Sequence, residues 1–242
     1  MKCIAAALFS LITMCAFGQD TTYYSSEGKK VETIHEADYC EMVVFTASDS
    51  SAASLQQFFT NGVKKSEASY VDYKKDKKTG VNKSWYRNGE LHTEIHYNNG
   101  KRDGKLSSWW ENGKLKREDL YSNDSLISGK CYDSTGTAVA YYPYEVLPEF
   151  PGGETALIKY LGHELKYPVT ARENGIQGSV YVYFFVDRNG NIVESGILDS
   201  PADDLSTEAL RVVNRMPKWK PGLVDGEKTG TRYNLPIRFA LR

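Results

Sequence analysis

The chain has 242 residues, and its 30 Lys and Arg residues against 31 Asp and Glu residues give a formal net charge of −1. A charge so close to zero creates no overall field that would attract nucleic acid, so no nucleic-acid partner is expected. Seventeen tyrosines favour β structure, because flat rings pack well on a pleated, half-buried surface.

Residues 1–18 have the pattern of a secretory signal peptide. Lys2 supplies a positive charge, and residues 4–17 form an almost unbroken apolar run that ends in small residues. The run is shorter than the roughly 20 residues that a membrane-spanning helix needs. Two alternatives remain, a lipoprotein signal anchored at Cys15, which the large Met14 disfavours, and an uncleaved short anchor. We expect a periplasmic protein after cleavage, or one that stays associated with the membrane.

A pattern of aromatic residues, Asn-Gly and leucine recurs through the middle of the chain. Its clear copies are WYRNGEL at 85–91 and WWENGKL at 109–115, and less regular copies lie at 23–29, 58–63 and 131–136. Asn-Gly predicts a tight turn in which both central residues have positive φ. The alternating residues that follow it predict a strand, so each unit is expected to be a β-hairpin.

Glycines follow these hairpins at Gly80, Gly104 and Gly129. Their spacing of about 24 residues is typical of stacked repeats. Together with the lysines around them, they predict linkers that reverse the chain. Residues 45–57 break the period, which predicts an inserted loop.

The W-Y-x-N-G-x-L unit resembles the MORN repeat family in its longer variant, over roughly residues 55–136. The resemblance implies a scaffold or a binding surface. The hairpins would form a long meander in which each unit buries its aromatic face only against its neighbours. We assign residues 19–145 to this MORN-like β-hairpin repeat region.

The repeat region also contains the residues that would be candidates for a metal site or a disulfide. His92, Glu94 and His96 lie on one face of a predicted strand, but no further ligand has a fixed spacing to them, so no metal or other cofactor is expected. Cys40 and Cys131 are the cysteines that remain beyond the signal peptide. A disulfide between them and two buried thiols both stay open, because two lone cysteines do not establish a disulfide framework.

From about residue 146 the pattern changes to that of a small α+β domain. Residues 147–153 are rich in Pro and Gly and predict a linker, and residues 154–161 have helical spacing. Residues 178–187 alternate valine with aromatic residues and are the strongest predicted strand, followed by a hairpin turn at 187–190. A further helix and a last strand complete a small antiparallel sheet with helices on one face.

The last strand, at 232–240, has two features that bear on function. Its apolar residues share one face as core residues do, so we expect these side chains to belong to the core. Pro236 has no amide hydrogen and is tolerated where its nitrogen faces away from the sheet, which predicts an edge strand.

An ordered set of motifs resembles the TonB C-terminal domain family, in the energy-transducer form of Bacteroidetes-type bacteria. The motifs are YPxxAR at 167–172, GIQG at 175–178, DxxG at 187–190, EA at 208–209, MPxWxPG at 216–222 and LPIxF at 235–239. The resemblance covers roughly residues 148–242, and we assign residues 146–242 to this domain. The predicted fold is therefore mainly β, with a β-hairpin meander followed by an α+β C-terminal domain.

The resemblance implies that the chain binds a protein by strand addition, in which an extended peptide pairs with an open sheet edge. Members of the family bind a short segment of outer-membrane transporters, so the expected partner is an outer-membrane receptor or another envelope protein. The residues that the resemblance assigns to this contact are Leu165, Lys166, Tyr167, Arg232, Tyr233, Asn234, Leu235, Ile237 and Phe239. An open last strand also allows a homodimer to form through it.

The N-terminal pattern decides between two functions. An energy transducer needs an uncleaved anchor and a long spacer, whereas this sequence has a cleavable signal followed by repeats. We therefore predict a periplasmic protein-binding module, with an energy transducer for TonB-dependent outer-membrane transport as the alternative. We predict no enzyme, because the sequence has no Gly-x-Ser-x-Gly elbow, Cys-His pairing or paired carboxylates.

Overall fold

A computed structural model describes residues 21–26, 28–46 and 51–241. The predicted signal peptide and its alternatives lie outside these residues. The chain divides into two compact units, Met1–Tyr141 and Tyr142–Arg242. None of the helices in the described ranges is long and apolar enough to cross a membrane.

The first unit is a single antiparallel sheet, which contains eleven strands within the described residues. The strands are β1 (Thr21–Tyr24), β2 (Lys30–Val31), β3 (Tyr39–Phe45), β4 (Ala53–Phe59), β5 (Lys64–Asp72), β6 (Lys77–Trp85), β7 (Leu91–Asn98), β8 (Lys101–Trp109), β9 (Leu115–Ser122), β10 (Ser125–Tyr132) and β11 (Ala138–Val139). From β3 to β11 each strand pairs with the next one in sequence. The predicted hairpin meander is therefore confirmed.

Alternation along the strands gives this sheet two different faces. One face carries the buried apolar residues of successive hairpins, among them Leu55, Ile95 and Leu106. The opposite face carries rows of polar and charged residues, in which Lys83 on β6 lies opposite Glu94 on β7 with 3.0 Å between Nζ and Oε2. Opposite charges in directly paired positions support the observed register.

The Asn-Gly turns of the repeated motif, at 61–62, 88–89 and 112–113, are not of the predicted type. Between β6 and β7 Gly89 has a φ of 90°, but the asparagine before it does not have positive φ. The Tyr86 amide donates to the Glu90 carbonyl at 2.8 Å, which gives a turn with a glycine bulge. Two successive positive φ values occur instead at the other end of the hairpins, where Asn99 and Gly100 join β7 to β8.

The predicted glycine linkers and the predicted inserted loop are also wrong in part. Gly80, Gly104 and Gly129 lie inside strands β6, β8 and β10, not in linkers. A Cβ at Gly104 would lie 3.0 Å from the Cβ of His96, so this glycine allows a neighbouring side chain to cross the strand. Within residues 45–57, the part from 53 onwards belongs to β4.

The second unit is the predicted small α+β domain. Its elements are β12 (Glu145–Val146), α1 (Gly153–Glu164), α2 (Val169–Glu173), β13 (Gly178–Val186), β14 (Ile192–Asp199), α3 (Asp203–Val213), β15 (Gly222–Val224), β16 (Glu227–Thr229) and β17 (Thr231–Phe239). One three-stranded antiparallel sheet has the order β14-β13-β17, and a smaller one has the order β12-β15-β16. The hairpin β15–β16 was not predicted.

The core of this unit lies on one side of the β14-β13-β17 sheet. Every second residue of β13 is fully buried there, from Val180 to Val186, against apolar residues of α3 such as Leu205 and Ala209. Each such valine contributes about 1.5–3 kcal/mol relative to an exposed position. The other face is open to solvent, and Tyr181 on it remains 46% exposed.

Candidate partner-binding edge

β17 lies at one end of the β14-β13-β17 sheet. It pairs with β13 along its whole length, from Thr231 opposite Val186 to Phe239 opposite Gly178. Within the described residues no strand pairs with its other side. One edge of β17 is therefore available for another strand, which is the arrangement that Pro236 predicts.

Pro236 also fixes which backbone groups face the open edge. It lies opposite Tyr181, and because it has no N–H this pair cannot be one that exchanges hydrogen bonds. Positions in an antiparallel pair alternate between bonded and non-bonded. The backbone groups of Arg232, Asn234 and Arg238 therefore point to the open edge together with the Pro236 carbonyl.

The other predicted residues of β17 point the opposite way. The backbone groups of Tyr233, Leu235, Ile237 and Phe239 face β13, and their side chains lie on the core side of the sheet. Ile237 is 1% exposed. The structure thus places Arg232 and Asn234 at the open edge and the four apolar residues in the core.

Aromatic packing anchors β17 from the core side. The Tyr233 ring lies 5.1 Å from that of Trp219 and 5.6 Å from that of Phe184, measured between ring centroids. At the end of the strand, the Phe239 ring meets the Tyr167 ring edge to face at 5.7 Å. Such contacts stabilise beyond their buried area, so the edge is presented on a fixed strand.

The segment 165–167 is held by the body of the domain. The Lys166 amide donates to Glu208 Oε1 at 2.7 Å, and Arg211 donates to both carboxylate oxygens of Glu208 at 2.7 Å. These hydrogen bonds, with that from Arg211 the largest cause, lower the pKa of Glu208. The Leu165 amide donates to the Leu161 carbonyl at 3.0 Å.

Polar groups of all three residues of this segment have hydrogen-bond partners within the domain. The amides of Leu165 and Lys166 already have acceptors, and the Tyr167 hydroxyl donates to the Ile176 carbonyl. These hydrogen bonds hold the segment against the domain, with Tyr167 next to the end of β17, and its part in partner binding stays a prediction. Glu208 belongs to the EA motif at 208–209, but its contact with Lys166, 42 positions away in the sequence, was not predicted, and neither was the role of Arg211.

The open side of the sheet next to this edge is aromatic and cationic. Arg232 lies over the ring of Tyr183 at 4.4 Å, and Arg238 is exposed farther along β17. Gly196 on β14 makes room for this ring, since a Cβ there would lie 2.6 Å from it. Arg238 was not predicted from the sequence, although the alternation that starts at Pro236 places it on the edge.

The residues considered for a metal site and for a disulfide all belong to the repeat sheet. Among the described residues no group of three or more His, Cys, Asp or Glu could hold a metal ion. The His96 Nε2 lies 3.6 Å from Glu94 Oε1 on the polar face of the repeat sheet. Cys40 and Cys131 are both buried and are not joined by a disulfide.

Comparison with known families assigns both regions. Residues 163–241 match the family model described as Gram-negative bacterial TonB protein C-terminal. Residues 78–99 and 102–123 match the model described as a MORN repeat variant. The chain matches no solved structure at a significant level.

Curated relatives match the second unit alone. Protein TonB of Vibrio cholerae serotype O1 is 34% identical over 77 residues, which are 31% of this chain and 31% of that protein. Protein TonB of Xanthomonas campestris pv. campestris strain B100 is 34% identical over 77 residues, 31% of this chain and 34% of that protein. The chain spans about a third of the length of these relatives. Residues 163–241 therefore resemble a TonB-type C-terminal domain, and the residues that match the MORN repeat variant precede them.

Proposed function

We propose that the second unit binds another protein of the bacterial envelope by adding a strand of that protein to the open edge of β17. The observation that carries this proposal is the single-sided pairing of β17. Backbone hydrogen bonds along such an edge provide affinity, and the side chains that flank it provide specificity. The function involves no catalysis.

The edge sets requirements for the bound segment. Arg232, Asn234 and Arg238 each offer an amide and a carbonyl, whereas Pro236 offers a carbonyl alone. A bound strand therefore meets a gap in the row of donors at Pro236. The side chains of Arg232 and Arg238 next to the edge favour a segment with acidic residues, since opposite charges on adjacent strands stabilise the pairing.

The expected partner is the periplasmic segment of an outer-membrane receptor, by analogy with the TonB-named relatives, and the expected location is the periplasm. The open edge also allows pairing with a second copy of the chain. A concentration-dependent dimer by light scattering that disappears when β17 is altered would support the homodimer instead.

The sharpest test is a second proline on the same side of the strand. Asn234→Pro removes an amide that faces the open edge and leaves the pairing with β13 intact, as Pro236 already does. We expect the variant to fold and to lose most of its capture of receptor from outer-membrane extracts, measured by quantitative pull-down. Leu235→Pro serves as the matched control, because it removes an amide that pairs with β13 and should unfold the sheet.

Equal capture of receptor by the folded Asn234→Pro variant and the unaltered chain would contradict the proposal. Loss of the fold in this variant, shown by circular dichroism, would contradict the assignment of which amides face outwards. In that case a receptor-derived peptide titrated against Arg232→Ala and Arg238→Ala variants still tests the edge itself.

A second candidate function is energy transfer to outer-membrane transporters, favoured by the similarity to Protein TonB of Vibrio cholerae over the second unit. It needs the N-terminal segment to stay in the inner membrane as an anchor. N-terminal sequencing of the exported protein separates the two functions. A chain that starts at Gln19 excludes the uncleaved anchor, and a chain that starts at residue 1 or 2 supports it.

A further inference from the structure

A groove on the apolar face of the repeat sheet crosses strands β3 to β7. It is open to one side and has a volume of about 350 Å³, and its lining includes Glu41, Gln57, Tyr70, Asn82 and Tyr97. This volume lies at the lower end of the range of small-molecule sites, roughly 300–1,000 Å³. The groove belongs entirely to the first unit and has no part in the binding proposed for β17.

Asn82 has a buried hydrogen-bond donor in this groove. The residue is 7% exposed, and its Oδ1 accepts the Ser69 amide at 3.1 Å, which fixes the direction of the side chain. Its Nδ2 is buried and has no hydrogen-bond partner among the described residues. Because a buried donor without an acceptor is costly, this amide indicates a ligand that brings an acceptor.

Further polar groups of the groove are already held in place. Ser66 donates to Gln57 Oε1 at 2.8 Å, and Gln57 Nε2 donates to Glu41 Oε2 at 2.8 Å. This chain of hydrogen bonds crosses β5, β4 and β3 and fixes the orientation of both the amide and the carboxylate. The wall around Asn82 is therefore arranged before any ligand arrives.

The charged residues of the lining do not favour a charged ligand. The side chains of Lys83 and Glu67 are engaged in ion pairs with Glu94 at 3.0 Å and Lys64 at 2.9 Å, and Lys83 and Glu94 lie on the polar face of the sheet. The other charged residues of the lining are one acid, Glu41, and one base, Lys78. Acidic and basic residues both occur around the groove, so their fields oppose each other. A neutral ligand fits this balance best.

The remaining walls are apolar and aromatic. Tyr70 and Tyr97 contribute rings, and Leu55 and Ile95 contribute aliphatic surface. Lys78 lies over the Tyr97 ring, 5.7 Å from its centroid, at the margin of the groove. The groove thus combines ring faces with fixed amide and carboxylate groups.

We propose that this groove binds a neutral saccharide of one or two rings. A sugar ring presents C–H groups on its faces, which pack on tyrosine rings and aliphatic side chains. At its rim it presents hydroxyls that both donate and accept hydrogen bonds. One such hydroxyl accepts from Asn82 Nδ2 and others donate to Glu41 and to Gln57, so the buried donor is satisfied.

The test uses the full chain and three neutral disaccharides: maltose, cellobiose and N,N′-diacetylchitobiose. Ligand-observed NMR is expected to show binding of at least one of them, with a dissociation constant on the order of 1 mM. Asn82→Asp keeps the acceptor for the Ser69 amide and replaces the buried donor by an acceptor. We expect it to weaken binding about tenfold or more.

Asn98→Asp is the matched control, because it makes the same chemical change at an exposed position of β7 outside the groove. It should leave the dissociation constant unchanged. No binding of any of the three disaccharides overturns the proposal, and so does equal binding by Asn82→Asp and the unaltered chain. If Asn82→Asp does not fold, Gln57→Ala takes its place and must weaken the same binding. Receptor capture through β17 should be unchanged in all these variants.

Discussion

The repeat unit and the C-terminal unit use their hairpin turns in different ways. In the repeat sheet, the asparagine of the repeated Asn-Gly motif bonds to the next hairpin: Asn61 Nδ2 donates to the Arg87 carbonyl at 3.2 Å, and Asn88 Nδ2 to the Glu111 carbonyl at 3.0 Å. In the C-terminal unit, the Asp187 carboxylate accepts the amides of Asn189 and Asn191 at 2.8 Å, inside its own turn.

This difference between the turns indicates the structural role of the asparagine in the repeated Asn-Gly motif. Its Oδ1 accepts an amide in its own turn, as when Asn88 accepts from Glu90 at 2.9 Å, while its Nδ2 joins the turn to its neighbour. Asn112 repeats the same link, to the Ser134 carbonyl at 3.0 Å. A side chain that closes one turn and holds the next makes the sheet extend by identical steps.

The largest expected effect comes from the glycine of the C-terminal turn. In Gly190→Ala the new Cβ would lie 2.0 Å from the Trp219 carbonyl oxygen, at a residue whose φ is +84°. We expect a loss on the order of 3–4 kcal/mol in the free energy of unfolding of this unit. Denaturant unfolding and hydrogen exchange of β13 would measure it.

We expect a smaller loss of stability from a glycine substitution in a turn of the repeat sheet. Gly89 has a φ of +90°, but nothing lies within 4 Å of a Cβ there. Gly89→Ala should therefore cost only the backbone strain, about 1–2 kcal/mol, and should raise exchange in β7 rather than in β13. If both substitutions have the same cost, the close packing of Gly190 on Trp219 does not matter for stability.

The intermediate effect concerns the link between repeats. Asn88→Ala removes the bond to the Glu111 carbonyl and the bond to the Glu90 amide, and should cost about 1–2 kcal/mol. Asn189→Ala is the control in the C-terminal turn, where the backbone amide alone bonds to Asp187, and should cost less than about 0.5 kcal/mol. Thermal unfolding of both variants gives the two values, and similar losses would refute the role of the asparagine as a link.

The parts of the fold that follow from local pattern were predictable. The alternation of valine and aromatic residues over 178–187 identifies β13 and its buried face, because side chains of a strand point alternately to opposite sides. Pro236 gives the edge strand by the same kind of argument. β4, in contrast, includes two glutamines and a serine, and because of this polar composition most of the strand was predicted as a loop.

The features that escaped prediction depend on distances between strands. Whether Asn88 has positive φ depends on how many residues separate the paired ends of β6 and β7, which composition does not give. Gly104 lies inside β8, where the side chain of His96 on the neighbouring strand β7 packs over it, and the sequence alone does not reveal this contact. At the site, the contact of Glu208 with the Lys166 amide forms only when α3 packs against the segment after α1.

The smallest expected effect on stability concerns the hydrogen bonds of Glu208 with Arg211 and the Lys166 amide, and this effect depends on pH. The hydrogen bond from Arg211 is the first cause of the lowered pKa of Glu208, followed by its bond to the Lys166 amide against the opposing effect of burial. A carboxyl whose pKa is lower in the folded state stabilises fully above its ordinary value of 4.5, and this contribution is lost as pH falls below it. Glu208→Gln should thus lower stability by about 1 kcal/mol at neutral pH.

Below pH 4.5 the difference between Glu208→Gln and the unaltered chain should shrink, because the carboxyl of the unaltered chain becomes protonated. Urea unfolding between pH 7 and about pH 3 measures this convergence. Glu173→Gln on α2 is the control, since this exposed residue has no ion pair within the part of the chain that the structure describes. A constant difference across this range would show that Glu208 acts by its shape alone. A convergent one would show that the segment before Tyr167 is braced by charge, unlike the Asn-Gly turns at Asn88 and Asn112, where a neutral side-chain amide makes the bonds.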